Sequence, residues 1–147
     1  MFMRSIQSLC LIQSILMKTD LSNATFIIPI RIESDDRLRN VVTSIAFLVE
    51  NFDTNIIVKE VDKESVFQTE VLPIFEEILE VDLWKNFHHI FERSEEPLFH
   101  RQRVLNEMIA ECETDIVVNY DCDVVLPMQS YKLCLLYTSP SPRDPVS

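Results

Sequence analysis

Asp121, Cys122 and Asp123 form the part of this sequence whose residue types suit a definite chemistry. Along an extended segment, alternation points both carboxylates to one side and Cys122 to the other. Two carboxylates on one side suit a hard divalent cation, Mn²⁺ or Mg²⁺. Such a cation takes few protein ligands and completes its shell with water and substrate phosphates. Held there, it neutralises charge building on a leaving diphosphate. The plain alternative is a solvated acidic turn, since acidic triplets of this kind are common. Position favours the chemistry: the triplet directly follows residues 115–120, an apolar run that reads as a buried strand.

The elements that would position these acids alternate strand and helix. Residues 25–32 are dense in β-branched and aromatic residues and predict a first strand. Ser34 is placed as a helix N-cap, with Asp35 and Asp36 in the first turn, where negative charge suits the helix dipole. Leu38, Val41, Val42, Ile45, Leu48, Val49 and Phe52 then recur every three to four residues, predicting a helix over about 35–52. Residues 54–61 read as a second strand, and a βαβ unit of this length implies parallel strands with a right-handed crossover. Val66, Leu72, Phe75, Ile78 and Leu79 give a helical pattern over 64–83, kinked or divided by Pro73. Residues 87–92 are a third strand. Pro97 stands where the next helix would begin, with Leu98, Val104, Leu105, Met108, Ile109 and Cys112 as its apolar side. The alternation predicts an α/β domain with an open, mostly parallel sheet and flanking helices.

In such a sheet, ligands bind beyond the carboxyl ends of the strands. Arg31 and Glu33 end the first strand, Glu60 and Asp62 the second, and Asp121 and Asp123 the fourth. Acids delivered to one edge repel, so a cation or hydrogen-bonding ligand is expected between them.

Composition narrows the classes. The 147 residues hold 13 Lys and Arg against 24 Asp and Glu, a net charge of −11, which argues against a nucleic-acid partner. Glycine is absent, which excludes Gly-rich phosphate loops. The cysteines at 10, 112, 122 and 134 lack zinc spacing and read as reduced thiols of a cytosolic protein. His88 and His89 are adjacent in a strand and face opposite sides, so they cannot share a metal. Trp84 reads as a core or edge aromatic, and Glu76, Glu77, Glu80 and Asp82 as the solvated side of a helix.

The combination of these features resembles family 2 glycosyltransferases, the GT-A nucleotide-sugar fold. The likeness covers residues 25–131: Phe26 to Ile30 as an opening strand ending near a proline, then a helix, a second strand ending in acids, and a D-x-D after a fourth strand. Asn106 lies fifteen residues before Asp121, as an Arg-Asn pair often does in the family. The resemblance implies a truncated GT-A (Rossmann-like) nucleotide-diphospho-sugar transferase fold and metal-assisted transfer of a sugar from a nucleoside-diphosphate donor, with a UDP-sugar as first choice. The acceptor, a glycan, lipid or protein, is left open. Asp121 would approach the donor ribose or the metal and Asp123 would bind the metal, Glu60 or Asp62 would accept from the base, and Pro29 and Arg31 would lie along the base and ribose pocket. Leu105 replaces the family's Arg, and Arg103, on the same helical side as Asn106, would take its charge role. The catalytic base is expected in sequence after the D-x-D that this chain does not supply. The alternatives are a nucleotidyltransferase, or a non-catalytic α/β regulatory or scaffolding domain.

The ends stand apart. Residues 17–132 are read as the partial transferase domain. Residues 1–16 are an N-terminal extension, either upstream sequence ahead of a start at Met17 or an amphipathic helix packed on the domain. They hold too interrupted an apolar run for a membrane span. Residues 133–147 are expected to be a disordered or artefactual tail: three of the seven prolines fall in the last eight residues, and residues 135–144 resemble a translated sequencing adapter. The natural protein would then continue beyond about Tyr131. The expected location is cytoplasmic, with peripheral membrane association left open.

Overall fold

The computed structural model describes residues 18–79 and 85–136. Readings placed on residues 1–17, 80–84 and 137–147, including Trp84, Glu80, Asp82 and Cys10, lie outside them.

Four strands form one all-parallel sheet in the order β3-β2-β1-β4. They are β1 (Thr19–Ile30), β2 (Phe52–Asp62), β3 (Phe87–Arg93) and β4 (Ile116–Asn119). The helices are α1 (Asp35–Asn51), α2 (Leu72–Ile78), α3 (Arg101–Glu111) and α4 (Met128–Leu136), with a π turn, Phe67–Val71, leading into α2. The chain is therefore α/β with an open parallel sheet and flanking helices. Among the described residues, no helix is long and apolar enough to cross a membrane.

Side-chain parity along the central strand splits the interior in two. Phe26, Ile28 and Ile30 face α1, the π turn, α2 and α4. Ile27 faces the other way, to Val104, Leu105 and Met108 of α3. Phe26 is fully buried and touches Phe52, Tyr120 and Tyr131 with ring centroids 6.2, 5.5 and 6.5 Å away. Burying a side chain of this size stabilises the fold by about 1.5–3 kcal/mol.

β1 begins six residues before the expected Thr25. It carries a register irregularity between Leu21 and Thr25, bridged by the Asn55 amide, which donates to the carbonyls of Ser22 and Ala24 at 3.1 Å each. Pro29 lies in this central strand without disturbing it. Ile27 accepts from Tyr120 N–H, so its backbone polar groups point toward β4, and so do those of Pro29 two residues on. The last β1–β4 rung is Ile27 with Asn119, so the missing proline N–H faces a position with no ladder partner.

Two helices differ from expectation. The buried residues after β2 are Phe67, Val71, Phe75 and Leu79, a strict four-residue spacing. That spacing outruns the 3.6-residue period, and the wider π turn takes up the excess. Ile78 is thereby turned outward. α3 starts at Arg101, four residues after Pro97, because the Pro97 carbonyl is held at 3.0 Å by the buried Arg31 guanidinium in a separate turn. Leu98 and Ile109 are consequently exposed, while Cys112 packs beside the α3 core.

Without glycine, turns close through short polar side chains. Asp20 accepts from Ser22 N–H, Ser34 from Arg37 N–H, Asp62 from Lys63 N–H and Ser94 from Glu96 N–H. No described residue takes a positive φ. α4 runs to Leu136, past the boundary expected at residue 132, and Leu135 packs on the core.

Candidate functional site

After β1 the chain moves to β2 and β3 on one side, then returns to place β4 on the other. The boundary between β1 and β4 is therefore the topological switch point, where a crevice opens beyond the carboxyl ends. Its walls are residues 31–34, leading into α1, and residues 120–124 after β4.

The Asp121–Asp123 triplet is at this crevice. β4 stops at Asn119, so the triplet is a turn rather than an extended continuation, and Val124 N–H donates to Asp121 O at 3.3 Å. The outcome of the alternation argument nevertheless holds: Asp121 and Asp123 are exposed and Cys122 is buried. Burial pushes the Cys122 thiol up. The Ser44 hydroxyl bonds the Cys122 and Asn40 carbonyls, and Arg37 reaches Cys122 Sγ at 3.9 Å. The turn is also tied from behind. Leu126 N–H donates to Tyr131 Oη, Tyr131 O–H to Tyr120 Oη at 2.7 Å, and Tyr120 O–H to Val124 O. Desolvation, with the Tyr131 bond, drives the Tyr120 hydroxyl far above its usual range.

Two arginines missed in the sequence complete the rim. Arg101 opens α3 and donates to Asp121 Oδ1 at 2.6 Å and Asn119 Oδ1 at 3.1 Å. Arg37 lies in the first turn of α1. The signal for Arg101 was its place at the start of the helix preceding β4; setting the helix start at Pro97 hid it.

The other expected residues divide. Arg31 reaches the carboxyl edge, but its guanidinium is a buried clamp: it donates to Val61 O at 2.7 Å and Pro97 O at 3.0 Å and lies over the Phe99 ring at 5.5 Å. Pro29 borders the crevice where β4 pairing ends. Asp62 is half-buried beside Lys63.

Glu60 is not at the open edge. It is fully buried on the opposite face and accepts from Ser65 Oγ at 2.6 Å, Val66 N–H at 2.9 Å and Phe67 N–H at 3.1 Å. His89 Nε2 lies 3.3 Å away, its ring stacked on Phe67 at 4.3 Å. Burial alone would raise the Glu60 carboxyl; the bonds from His89, Ser65 and Phe67 outweigh it and hold the group below its ordinary value. This acid caps the turn after β2 and is not free to bind a base.

Arg103 and Asn106 are also elsewhere. Arg103 pairs with Glu92 at 2.9 Å and Glu107 at 2.7 Å, closing a ring with the buried Lys59. Asn106 accepts from Gln102 on the exposed side of α3. Arg101, rather than Arg103, supplies the charge beside Asp121.

As to metal, no three His, Cys, Asp or Glu side chains converge on one ligand set among the described residues. Asp121 and Asp123 offer two carboxylates at most, a donor set that fits Mn²⁺ or Mg²⁺ only if a substrate supplies further oxygens. Comparison with family models, curated proteins and solved structures finds no match to this chain.

Proposed function

We propose that the β1–β4 crevice binds a nucleoside-diphosphate donor, and that the chain is the donor-binding part of a GT-A glycosyltransferase of family 2. The observation that carries this reading is the coincidence of the switch point with the Asp121–Asp123 turn. The two exposed acids are anchored there by Ser44 and the Tyr120–Tyr131 pair.

In this reading Asp123 and Asp121 hold Mn²⁺ or Mg²⁺ together with diphosphate oxygens, and the cation offsets charge on the leaving diphosphate. Arg37 and the N-terminus of α1, capped by Ser34, face the same anion with favourable charge. Asp62 is left as the acceptor for the base and Pro29 as part of the pocket wall. The acceptor substrate and the catalytic base belong to sequence beyond the D-x-D.

The test is calorimetric titration of UDP, GDP and ADP with and without Mn²⁺, on the protein and on Asp123→Ala. The expected result is binding that requires Mn²⁺ and is lost in the variant, whose melting stays unchanged because Asp123 is exposed. Binding that is indifferent to both metal and Asp123 would sink the proposal.

A further inference from the structure

The sheet ends at two edge strands, β3 and β4. β3 carries ionisable side chains at His88, His89, Glu92 and Arg93, the kind of pattern that keeps an edge from pairing. β4 carries none: it consists of Ile116, Val117, Val118 and Asn119. Among the described residues its one strand neighbour is β1. Tyr120 N–H donates to Ile27 O, so by alternation Ile116 and Val118 also turn their backbone groups toward β1, while Val117 and Asn119 turn theirs outward. The Val117 side chain is 36% exposed.

We propose that this edge pairs with β4 of a second copy, antiparallel, about a two-fold axis normal to the sheet. Such an axis continues each face of the sheet across the joint, so residues of equal parity come opposite one another. With the axis at Val117, the two valines exchange both N–H···O bonds. Ile116 of each copy then meets Val118 of the other, and all the central pairs are β-branched, which suits neighbouring strands.

Charge selects the same centre. Asp115, Val117 and Asn119 share the α3 face by alternation. With Val117 on the axis, Asp115 comes opposite Asn119 of the second copy, and each Asn119 Oδ1 holds Arg101 Nη2 at 3.1 Å. Directly opposed Cβ atoms lie about 4.5–5.5 Å apart, so an Asp115 carboxylate meets an Arg101 guanidinium at both ends of the joint. An axis at Val118 would instead set Asp115 against Asp121, and like charges so placed destabilise. An axis at Ile116 would run the pairing out of the strand to Glu113.

The helices leave room. α3 packs on Ile27 of β1 and Ile57 of β2. The two β1 strands would lie three spacings, about 14 Å, apart, more than the width of a helix, about 10–12 Å. α4 sets Tyr131 against Phe26 and Phe52, inward of the edge. A joint built on a four-residue strand buries less than the roughly 1,200 Å² of a stable interface, so the dimer is weak, with a dissociation constant on the order of 10–100 µM.

The test is sedimentation velocity on the 147-residue chain from about 1 µM to about 1 mM. Physiological ionic strength, with a Debye length of about 8 Å, screens the repulsion between two chains of net charge −11. The expected result is a reversible shift from monomer to dimer. Val117→Pro should keep the melting of the monomer, because the outward N–H it removes makes no bond to β1, and should raise the dissociation constant about tenfold or more. Asp115→Lys, at an exposed position, should weaken the dimer as well, since two cations are then opposed at each end. If Val117→Pro folds poorly, Asp115→Lys alone decides. In a Cys10→Ser, Cys134→Ser background, mild oxidation of Val117→Cys should join the two introduced thiols, because the Cα atoms of such a pair lie about 5.5 Å apart. A monomer at every concentration, a dimer that neither Val117→Pro nor Asp115→Lys weakens, or introduced thiols that link only to Cys112 or Cys122 would overturn the proposal.

Discussion

Arg101 holds Asp121: the guanidinium Nη2 lies 2.6 Å from Asp121 Oδ1, and the two side chains remain 43% and 58% exposed. A pair this open to water stabilises a fold by only about 0–1 kcal/mol. In the proposed reading, its place at the rim of the switch-point crevice assigns it to donor binding, where it orients Asp121. Arg101→Ala should therefore leave the thermal midpoint nearly unmoved. Metal-dependent nucleoside-diphosphate binding should weaken by about 1.5–3 kcal/mol, the range for a hydrogen bond to a charged group. Calorimetry and melting on the same preparation separate the two effects, and a large melting shift with unchanged binding would contradict the assignment.

The turn that carries Asp121 and Asp123 depends on Tyr131. Its hydroxyl accepts from Leu126 N–H and donates to Tyr120, while its ring packs 4.9 Å from Phe52. Tyr131→Phe keeps the ring and leaves the Leu126 amide without its partner. The expected cost is about 1–3 kcal/mol in urea unfolding. Faster amide exchange across residues 121–127 should accompany it, and unchanged exchange there would show that the turn is held by something else.

Glu60 sets an acid-side dependence. Its carboxyl lies below the ordinary 4.5 in the folded protein because His89, Ser65 and Phe67 hydrogen-bond its charged form against the opposing effect of burial. A lowered folded value means that the unfolded chain takes up the proton first as pH falls. The contribution to stability is then complete above about pH 4.5 and is lost below it. Glu60→Gln should be less stable than the parent at pH 7, and the difference should shrink as pH drops below 4.5. Urea midpoints at pH 7, 5, 4 and 3 would check this, and a constant difference across that range would refute the linkage.

The sheet was legible because its strands centre on apolar runs separated by helical patterns, the one between β1 and β2 strongly periodic. The Ser34 cap followed from residue type and the helix from side-chain spacing, which ran it to about residue 52; Phe52 instead opens β2. Strand order was not legible, since nothing in residues 115–120 says on which side of β1 they pair; that order is what creates the crevice. Glu60 misled because its position at the end of β2 matched an edge acid. Its partner His89 comes from a different strand, and burial of such a pair depends on tertiary contact that spacing cannot reveal. The same limit hid Arg101 behind Arg103: two residues along a helix separate a rim position from the ring around Lys59.

That ring supplies the last prediction. Lys59 is 7% exposed, with Nζ 2.5 Å from Glu107 and 3.4 Å from Glu92. Arg103 binds the same two acids from outside. Burial disfavours the Lys59 charge, but the two carboxylates outweigh it and leave the ammonium group more firmly protonated than usual. Both acids are about a third exposed, so they stay solvated and keep Arg103 if Lys59 is removed. The loss should therefore fall short of the ~3–5 kcal/mol for breaking a fully buried pair. Lys59→Met keeps the aliphatic stem packed against the sheet, and about 1–2 kcal/mol is expected from chemical denaturation. Arg103→Ala alone should cost less, because that side chain is 43% exposed. The double variant Lys59→Met, Arg103→Ala should cost more than the sum of the two, since Glu92 and Glu107 then face each other without a cation. Strict additivity would mean that the ring is a set of independent surface pairs.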